Sequence, residues 1–243
     1  MCGRFNLTLP VEALRAVFAV KGEIVPFPPR YNIAPTQPIH VVRESREDRT
    51  RTVGLVKWGF LPSWVKDPAA FPLLINARSE TAADKPTFRN ALRRRRILVP
   101  ATGFYEWKRS GARKIPYLFE TGGPFALAGI EETWIGPNGE ELDTAAILTT
   151  AATGVPADYH DRMPLTVPEA AWSAWLDPWM EDAPRALALT ERAAYTARPV
   201  SIRLSNARNE GEGLLTPDPE EPAKAEKPDT AAAPAADDQP SLF

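Results

Sequence analysis

At 243 residues, 44% of them apolar, the chain can bury a core of its own and fold without staples. Its single cysteine excludes an internal disulfide and a thiolate-cage zinc site, and it shows no charged-then-apolar leader or long apolar run, so it reads as cytosolic. The net charge of −2 conceals an asymmetry: residues 209–243 carry nine acids and two lysines, which leaves residues 1–208 with a surplus of five positive charges. A basic body suits a polyanionic partner.

The chain opens MCGRFN, with its only thiol at residue 2. A lone cysteine is most often a small buried hydrophobe. At this position, however, a small second residue permits removal of the initiator methionine. Cys2 would then be an exposed terminal aminothiol, a thiol and an α-amine on adjacent carbons with ordinary pKa values of about 8.5 and about 8. Leu9–Val20 predicts a helix with Thr8 as cap, Pro10 in the first turn, and Leu14, Val17 and Phe18 on one face. His40, in PIHVV, alternates with apolar residues as a structural strand side chain does. Arg51–Phe60 is strand-like, and Trp58 and Trp64 of KWGFLPSW flank a turn that would expose them for stacking. In INARSET, Arg78 and Glu80 follow an apolar run and suit an exposed ion pair.

Thr87–Arg96 predicts a helix whose end, Arg93–Arg96, is either a solvated cationic terminus or a phosphate contact. Strand-like runs follow at Ile97–Lys108, Pro116–Glu120, Phe125–Glu131 and Thr144–Ala151. Hairpin signals at Ser110-Gly111, Gly122-Gly123 and Asn138-Gly139 imply antiparallel pairing, since parallel strands need long crossovers. Glu106, in GFYEWK, interrupts an aromatic strand, where desolvation would raise its pKa toward neutrality; simple alternation would put it on a wet face instead. His160, in ADYHDRMP, sits among turn-forming residues and suits either a general acid-base group or an ordinary loop residue. Helices at Pro168–Trp175 and Ala183–Ala194 complete the folded part. The Pro-, Ala- and acid-rich segment after Arg208 predicts a disordered tail, dividing the chain into 1–208 and 209–243. The sum is an α+β domain with a mostly antiparallel, barrel-like sheet and flanking helices.

Six strings, MCGRFN, RYNIAPTQ, WGFLPSW, INARSET, GFYEWK and HDRMP, in that order and at these intervals, resemble the SOS-response-associated peptidase (SRAP) family. The resemblance implies a protein that binds single-stranded DNA in a basic cleft, loses Met1, by its own action in one version, and crosslinks mature Cys2 to abasic sites. It carries over Cys2 as nucleophile with Asn76, Glu106 and His160 around it. Arg4, Arg78, Trp64 and Arg162 would hold phosphates and bases, while Asn32, Pro35 and Thr149 would shape the site. No cofactor, metal or membrane is called for, and the chain reads as a monomer. One departure concerns stacking: many members have a second aromatic after the tryptophan, where this chain has Val65.

The residues supply a chemistry for that role. An amine condenses with a ring-opened sugar aldehyde, and a thiol on the adjacent carbon then closes a five-membered thiazolidine, the second step favoured by being intramolecular. Glu106 and His160 are the proton carriers, and Asn76 an orienting hydrogen-bond partner. The last five residues, QPSLF, resemble the Gln-x-x-Leu-Phe peptides that dock on the bacterial sliding clamp, with Gln239, Leu242 and Phe243 as anchors. Three other readings use the same residues: an N-terminal-nucleophile glutamine amidotransferase, a cysteine peptidase built on Cys2, His160 and Asn76, and a non-enzymatic reader of modified bases.

Overall fold

The computed structural model describes residues 2–111 and 113–218. The clamp-like anchors Gln239, Leu242 and Phe243 therefore lie outside the described residues. In chain order the strands are β1 Phe5–Leu7, β2 Arg30–Ile33, β3 Pro38–Glu44, β4 Arg51–Trp58, β5 Asn76–Arg78 and β6 Arg96–Ala101, then β7 Gly103–Ser110, β8 Arg113–Glu120, β9 Phe125–Ile135, β10 Glu141–Ala151, β11 Arg162–Pro164 and β12 Thr196–Pro199. Short helices intervene: α1 Val11–Val17, α2 Ser79–Ala82, α3 Arg89–Arg94, α4 Trp172–Trp175 and α5 Ala183–Leu187. The fold is α+β. Among the described residues no helix is long and apolar enough to cross a membrane.

Two sheets form. One is a five-stranded barrel in which β10, β4, β3, β6 and β9 pair in turn and β9 pairs back to β10. So tight a closure needs small side chains, and Ala126, Ala128, Ala145 and Ala146 are all buried on β9 and β10. Gly129 has no room for more: a Cβ there would lie 2.9 Å from Ile97 Cγ1. The other sheet runs β12-β8-β7-β1-β2 and holds the chain's N-terminal strand between β2 and β7.

Several expectations are corrected by this topology. Ile97–Lys108 is two strands in two sheets, β6 and β7, because the chain crosses over at Thr102 and Gly103. Thr102 is held there by its N–H to the Asn6 carbonyl at 3.0 Å, and a Cβ on Gly103 would come 2.9 Å from the Phe119 carbonyl oxygen. Ser110-Gly111 and Asn138-Gly139 do join hairpins, β7–β8 and β9–β10. Gly122-Gly123 does not: β8 pairs with β7 and β12, β9 with β6 and β10, so that turn passes the chain from one sheet to the other. Pairing is mostly antiparallel, as expected, with β10 parallel to β4 and β5.

Helix α1 is shorter than Leu9–Val20 because Ala19 takes a left-handed φ of 52°. Its cap is Pro10, while the Thr8 hydroxyl meets Thr102 instead. Pro168–Trp175 divides into a 3-10 turn and α4, and the helix from Ala183 stops at Leu187. Trp58 is fully buried, donating to the Ile75 carbonyl, whereas Trp64 is 60% exposed. Residues 209–218 pack on the domain: Leu214 is buried, Glu210 accepts from the Tyr31 and Asn32 N–H groups, and Asp218 accepts from Ser201.

The four arginines divide: Arg93 and Arg94 are the exposed end of α3 that the solvated reading expected, whereas Arg95 and Arg96 are committed to partners. Arg93 and Arg94 share Glu181, Arg95 pairs with Glu132, and Arg96 is buried with its guanidinium on the carbonyls of Leu92, Arg93, Trp175 and Asp177. Replacing Arg96 by methionine strands four carbonyls. Arg96→Met is therefore expected to lose about 3 kcal/mol or more in chemical denaturation, while Arg93→Ala and Arg94→Ala stay within about 1 kcal/mol of the parent.

Candidate active site

Strand β1 fixes the chain from Phe5, and Cys2, three residues earlier, is 0% exposed. This corrects the expectation of an exposed thiol at the chain's start. The Cys2 carbonyl accepts a hydrogen bond from Asn76 Nδ2 at 3.0 Å. Asn76 is delivered by β5, which lies parallel to β10 with Asn76 opposite Ile147. Its Oδ1 is buried without a hydrogen-bond partner among the described residues.

Glu106 lies on β7 directly opposite Tyr117 of β8, just outward of the stacked Phe104–Phe119 pair. It is 5% exposed, which excludes the wet-face reading. Burial pushes its carboxyl up to about 7, with the charge of Asp161 adding to the effect. Burial also pushes the Cys2 thiol far above its ordinary range, and the charge of Glu106 raises it further, so the thiol feels the carboxylate. Tyr195, buried with its hydroxyl unpartnered among the described residues, is raised by burial and then by Cys2. No sequence signal pointed to Tyr195.

His160 follows a 3-10 turn at Val155–Asp158. Its Nδ1 accepts the Arg162 backbone N–H at 3.0 Å and lies 2.6 Å from Asp161 Oδ1. The first contact suits the neutral ring with its proton on Nε2, the second the protonated ring. Burial lowers the histidine's pKa, which favours the neutral form. Arg162, on β11, donates to both oxygens of Glu80 at 2.7 and 2.9 Å and to the Thr149 carbonyl at 2.6 Å. The Arg162 hydrogen bonds hold Glu80 down at about 2. Glu80 thus pairs with Arg162 rather than Arg78, because α2 turns its side chain toward β10, where it also accepts from Thr150 and the Ala151 N–H. Arg78 is left exposed, opposite buried Thr149.

Arg4 is half-buried, donating to Asn32 Oδ1 at 2.6 Å and the Leu204 carbonyl at 2.9 Å, with its guanidinium 5.7 Å from the Trp107 ring centroid. Asn32 is itself buried, its amide donating to the carbonyls of Leu204, Asn206 and Asn209. Pro35 is half-buried in the turn from β2 to β3, and exposed Trp64 meets Phe71 edge-on at 5.7 Å. His40, as its alternation implies, is a strand side chain, buried and stacked on Phe27 at 3.7 Å.

The cluster therefore joins a buried N-terminal thiol to a carboxyl near neutrality, beside a neutral histidine on a loop pinned by Arg162. The model of the SOS response associated peptidase (SRAP) family matches residues 1–207. The chain belongs to this family. Among its relatives it is 37% identical over 187 residues to abasic site processing protein YoqW of Bacillus subtilis (strain 168), covering 73% of this chain and 81% of that protein. To abasic site processing protein YedK of Escherichia coli (strain K12) it is 33% identical over 233 residues, covering 89% and 100%. A crystal structure from Bacteroides thetaiotaomicron shares the fold with a TM-score of 0.77 at 24% identity, over 89% of this chain and all of that one.

Burying Glu106 has a cost that depends on pH. Its folded pKa of about 7 lies above the ordinary carboxylate value, so the folded state holds the proton longer than the unfolded chain does. Stability is then full below about pH 4.5 and falls as pH rises through 7, by at most about 3 kcal/mol. Thermal melts of Glu106→Gln should therefore match the parent near pH 5 and exceed it by several degrees at pH 8.5. A melting difference that did not change with pH would contradict this.

Proposed function

We propose that this chain processes abasic sites by binding single-stranded DNA and capturing the lesion covalently through Cys2. The observation that carries the reading is the burial of Cys2 beside Glu106, a carboxyl held near pH 7, in a chain whose relatives are named abasic site processing proteins. Hydrolysis of the Met1–Cys2 peptide bond consumes one water and frees the α-amine. That amine adds to the aldehyde carbon of the ring-opened sugar, and the resulting carbinolamine loses water to give an imine. The Cys2 sulfur then adds to the imine carbon while its proton passes to nitrogen, closing the thiazolidine.

Each proton movement has a carrier suited to it. Glu106, partly protonated at neutral pH, takes a proton from the attacking amine and returns one to the departing hydroxyl. His160, neutral in the resting site, assists the opening of the sugar ring. Asn76, already bonded to the Cys2 carbonyl, orients the nucleophile. Arg78, Arg4, Arg162 and Trp64 hold the strand, and Asn32, Pro35 and Thr149 keep the walls in place. Because Cys2 lies below the surface, the sugar must leave its base-paired context to reach it, which an unpaired strand does at the least cost.

A denaturing gel with an abasic oligonucleotide tests the reaction. The parent should give a shifted band, Cys2→Ala none, and Glu106→Gln a band forming roughly 100-fold more slowly. The absence of a band from the parent, or Met1 still attached in the crosslinking-competent protein by intact mass, would end the proposal. The tail adds a localising element: QPSLF docks on the sliding clamp and tethers the domain near replicating DNA. Deleting 239–243 should abolish clamp pull-down and leave crosslinking unchanged; clamp binding that persisted would remove this part alone.

A further inference from the structure

Alternation along β7 puts Phe104, Glu106 and Lys108 on one face, opposite Phe119, Tyr117 and Ile115 of β8. The face rises from core to solvent. Phe104 is 0% exposed, Glu106 5%, and Lys108 is exposed. The ring of Tyr159, the residue before His160, packs over this ramp, 4.7 Å from the Tyr117 ring and 5.0 Å edge-on to Phe119. Lys108 Nζ sits 5.0 Å from the centroid of the same ring.

Lys108 is thus held two residues outward from Glu106, about 7 Å along the strand, at the mouth of the candidate active site. The aromatic face fixes the ammonium's position without neutralising its charge. Among the described residues no carboxylate forms an ion pair with Lys108, in contrast to Arg43, Arg95 and Arg162, which are committed to acids. A cation that is placed but not neutralised, beside a pocket for a sugar, is suited to the phosphate joined to that sugar.

We propose that Lys108, seated on Tyr159, is a binding residue for the backbone phosphate flanking the abasic nucleotide. The inference rests on the DNA-binding part of the function proposed above and adds a residue to which the family resemblance gives no role. Lys108 acts on binding and register, and takes no part in the bond-making steps. It meets phosphate alone, so it serves any sequence and any base next to the lesion.

The test uses the full-length protein and an undamaged fifteen-nucleotide oligo-dT, followed by anisotropy across a potassium chloride series. Removing one phosphate-binding cation lowers the slope of log affinity against log salt by about 0.7 for a single strand. Lys108→Ala should show a slope smaller by about that amount and bind several-fold more weakly at low salt. Lys108→Arg should restore both the slope and the affinity. Arg109→Ala, an exposed cation on the other face of β7, should leave the slope at the parent value. With a saturating abasic oligonucleotide, Lys108→Ala should crosslink within about twofold of the parent rate. A parental slope in Lys108→Ala, or a large loss of rate at saturation, would overturn the proposal. Should the parent bind oligo-dT with the expected slopes but form no crosslink, the covalent reaction fails and the phosphate contact stands. Should it crosslink while Lys108→Ala keeps the full slope, only the phosphate contact fails.

Discussion

The position of Cys2 depends on a three-residue strand. β1 has partners on both sides, β2 and β7, and its central residue, Asn6, is 2% exposed. Asn6 donates to the Tyr105 hydroxyl at 2.9 Å, Tyr105 donates on to the Tyr31 carbonyl at 2.7 Å, and Thr102 donates to Asn6 Oδ1 at 2.8 Å. One side chain thereby ties β1 to β7, to β2 and to the crossover between the sheets. A chain terminus ordinarily frays because few contacts offset its entropy. Here the terminus is an interior strand, so a nucleophile placed three residues before it inherits the rigidity of the sheet.

Rigidity and burial then set the electrostatics. Low surrounding polarity disfavours both thiolate and carboxylate, so Cys2 and Glu106 are raised together, and the Glu106 charge raises the thiol further. The thiol rests protonated and the carboxyl is divided between its two forms near pH 7. A carboxyl poised near 7 both gives and accepts protons at little cost, which is the property the proposed condensation requires at two successive steps. The same burial holds His160 neutral, while Asp161 stands 2.6 Å away to stabilise the ring if it takes up a proton. Stability is given up at Glu106 in exchange for a usable pKa, and the barrel and sheet cores around it absorb the loss.

What was legible in the sequence was chemical identity; what was hidden was where the chain changes sheets. The motif strings named Cys2, Asn76, Glu106 and His160, and a carboxylate inside an aromatic strand announced its own raised pKa. Strand propensity could not show that Ile97–Lys108 bends at Thr102, because both halves favour strand and the bend is held by Asn6, far away in sequence. Gly122-Gly123 has a hairpin's composition but connects strands whose partners lie elsewhere. Arg96 reads as one more cation in a run of four, and only its buried carbonyl partners, from Trp175 and Asp177 some eighty residues on, distinguish it. Trp58 and Trp64 share a motif and differ in burial because one ends a barrel strand and the other begins a surface loop. Long-range partners decide each of these cases, and local pattern does not contain them.

The same distinction bears on which cations near the candidate site are available to a polyanion. Arg4 is bonded to Asn32 and Leu204, and Arg162 to Glu80 and Thr149, so a phosphate reaching either guanidinium must compete with partners already in place. Glu80, held at about 2, stays ionised through the physiological range and keeps its claim on Arg162. Both arginines are therefore framework as well as proposed strand contacts: Arg4 ties the start of β1 to Asn32 and the Leu204 carbonyl, and the Arg162 N–H bonds the His160 ring. In the function proposed above, binding energy toward DNA would come mainly from cations without such commitments, such as exposed Arg78, two residues along β5 from Asn76, and ring-seated Lys108, two residues along β7 from Glu106.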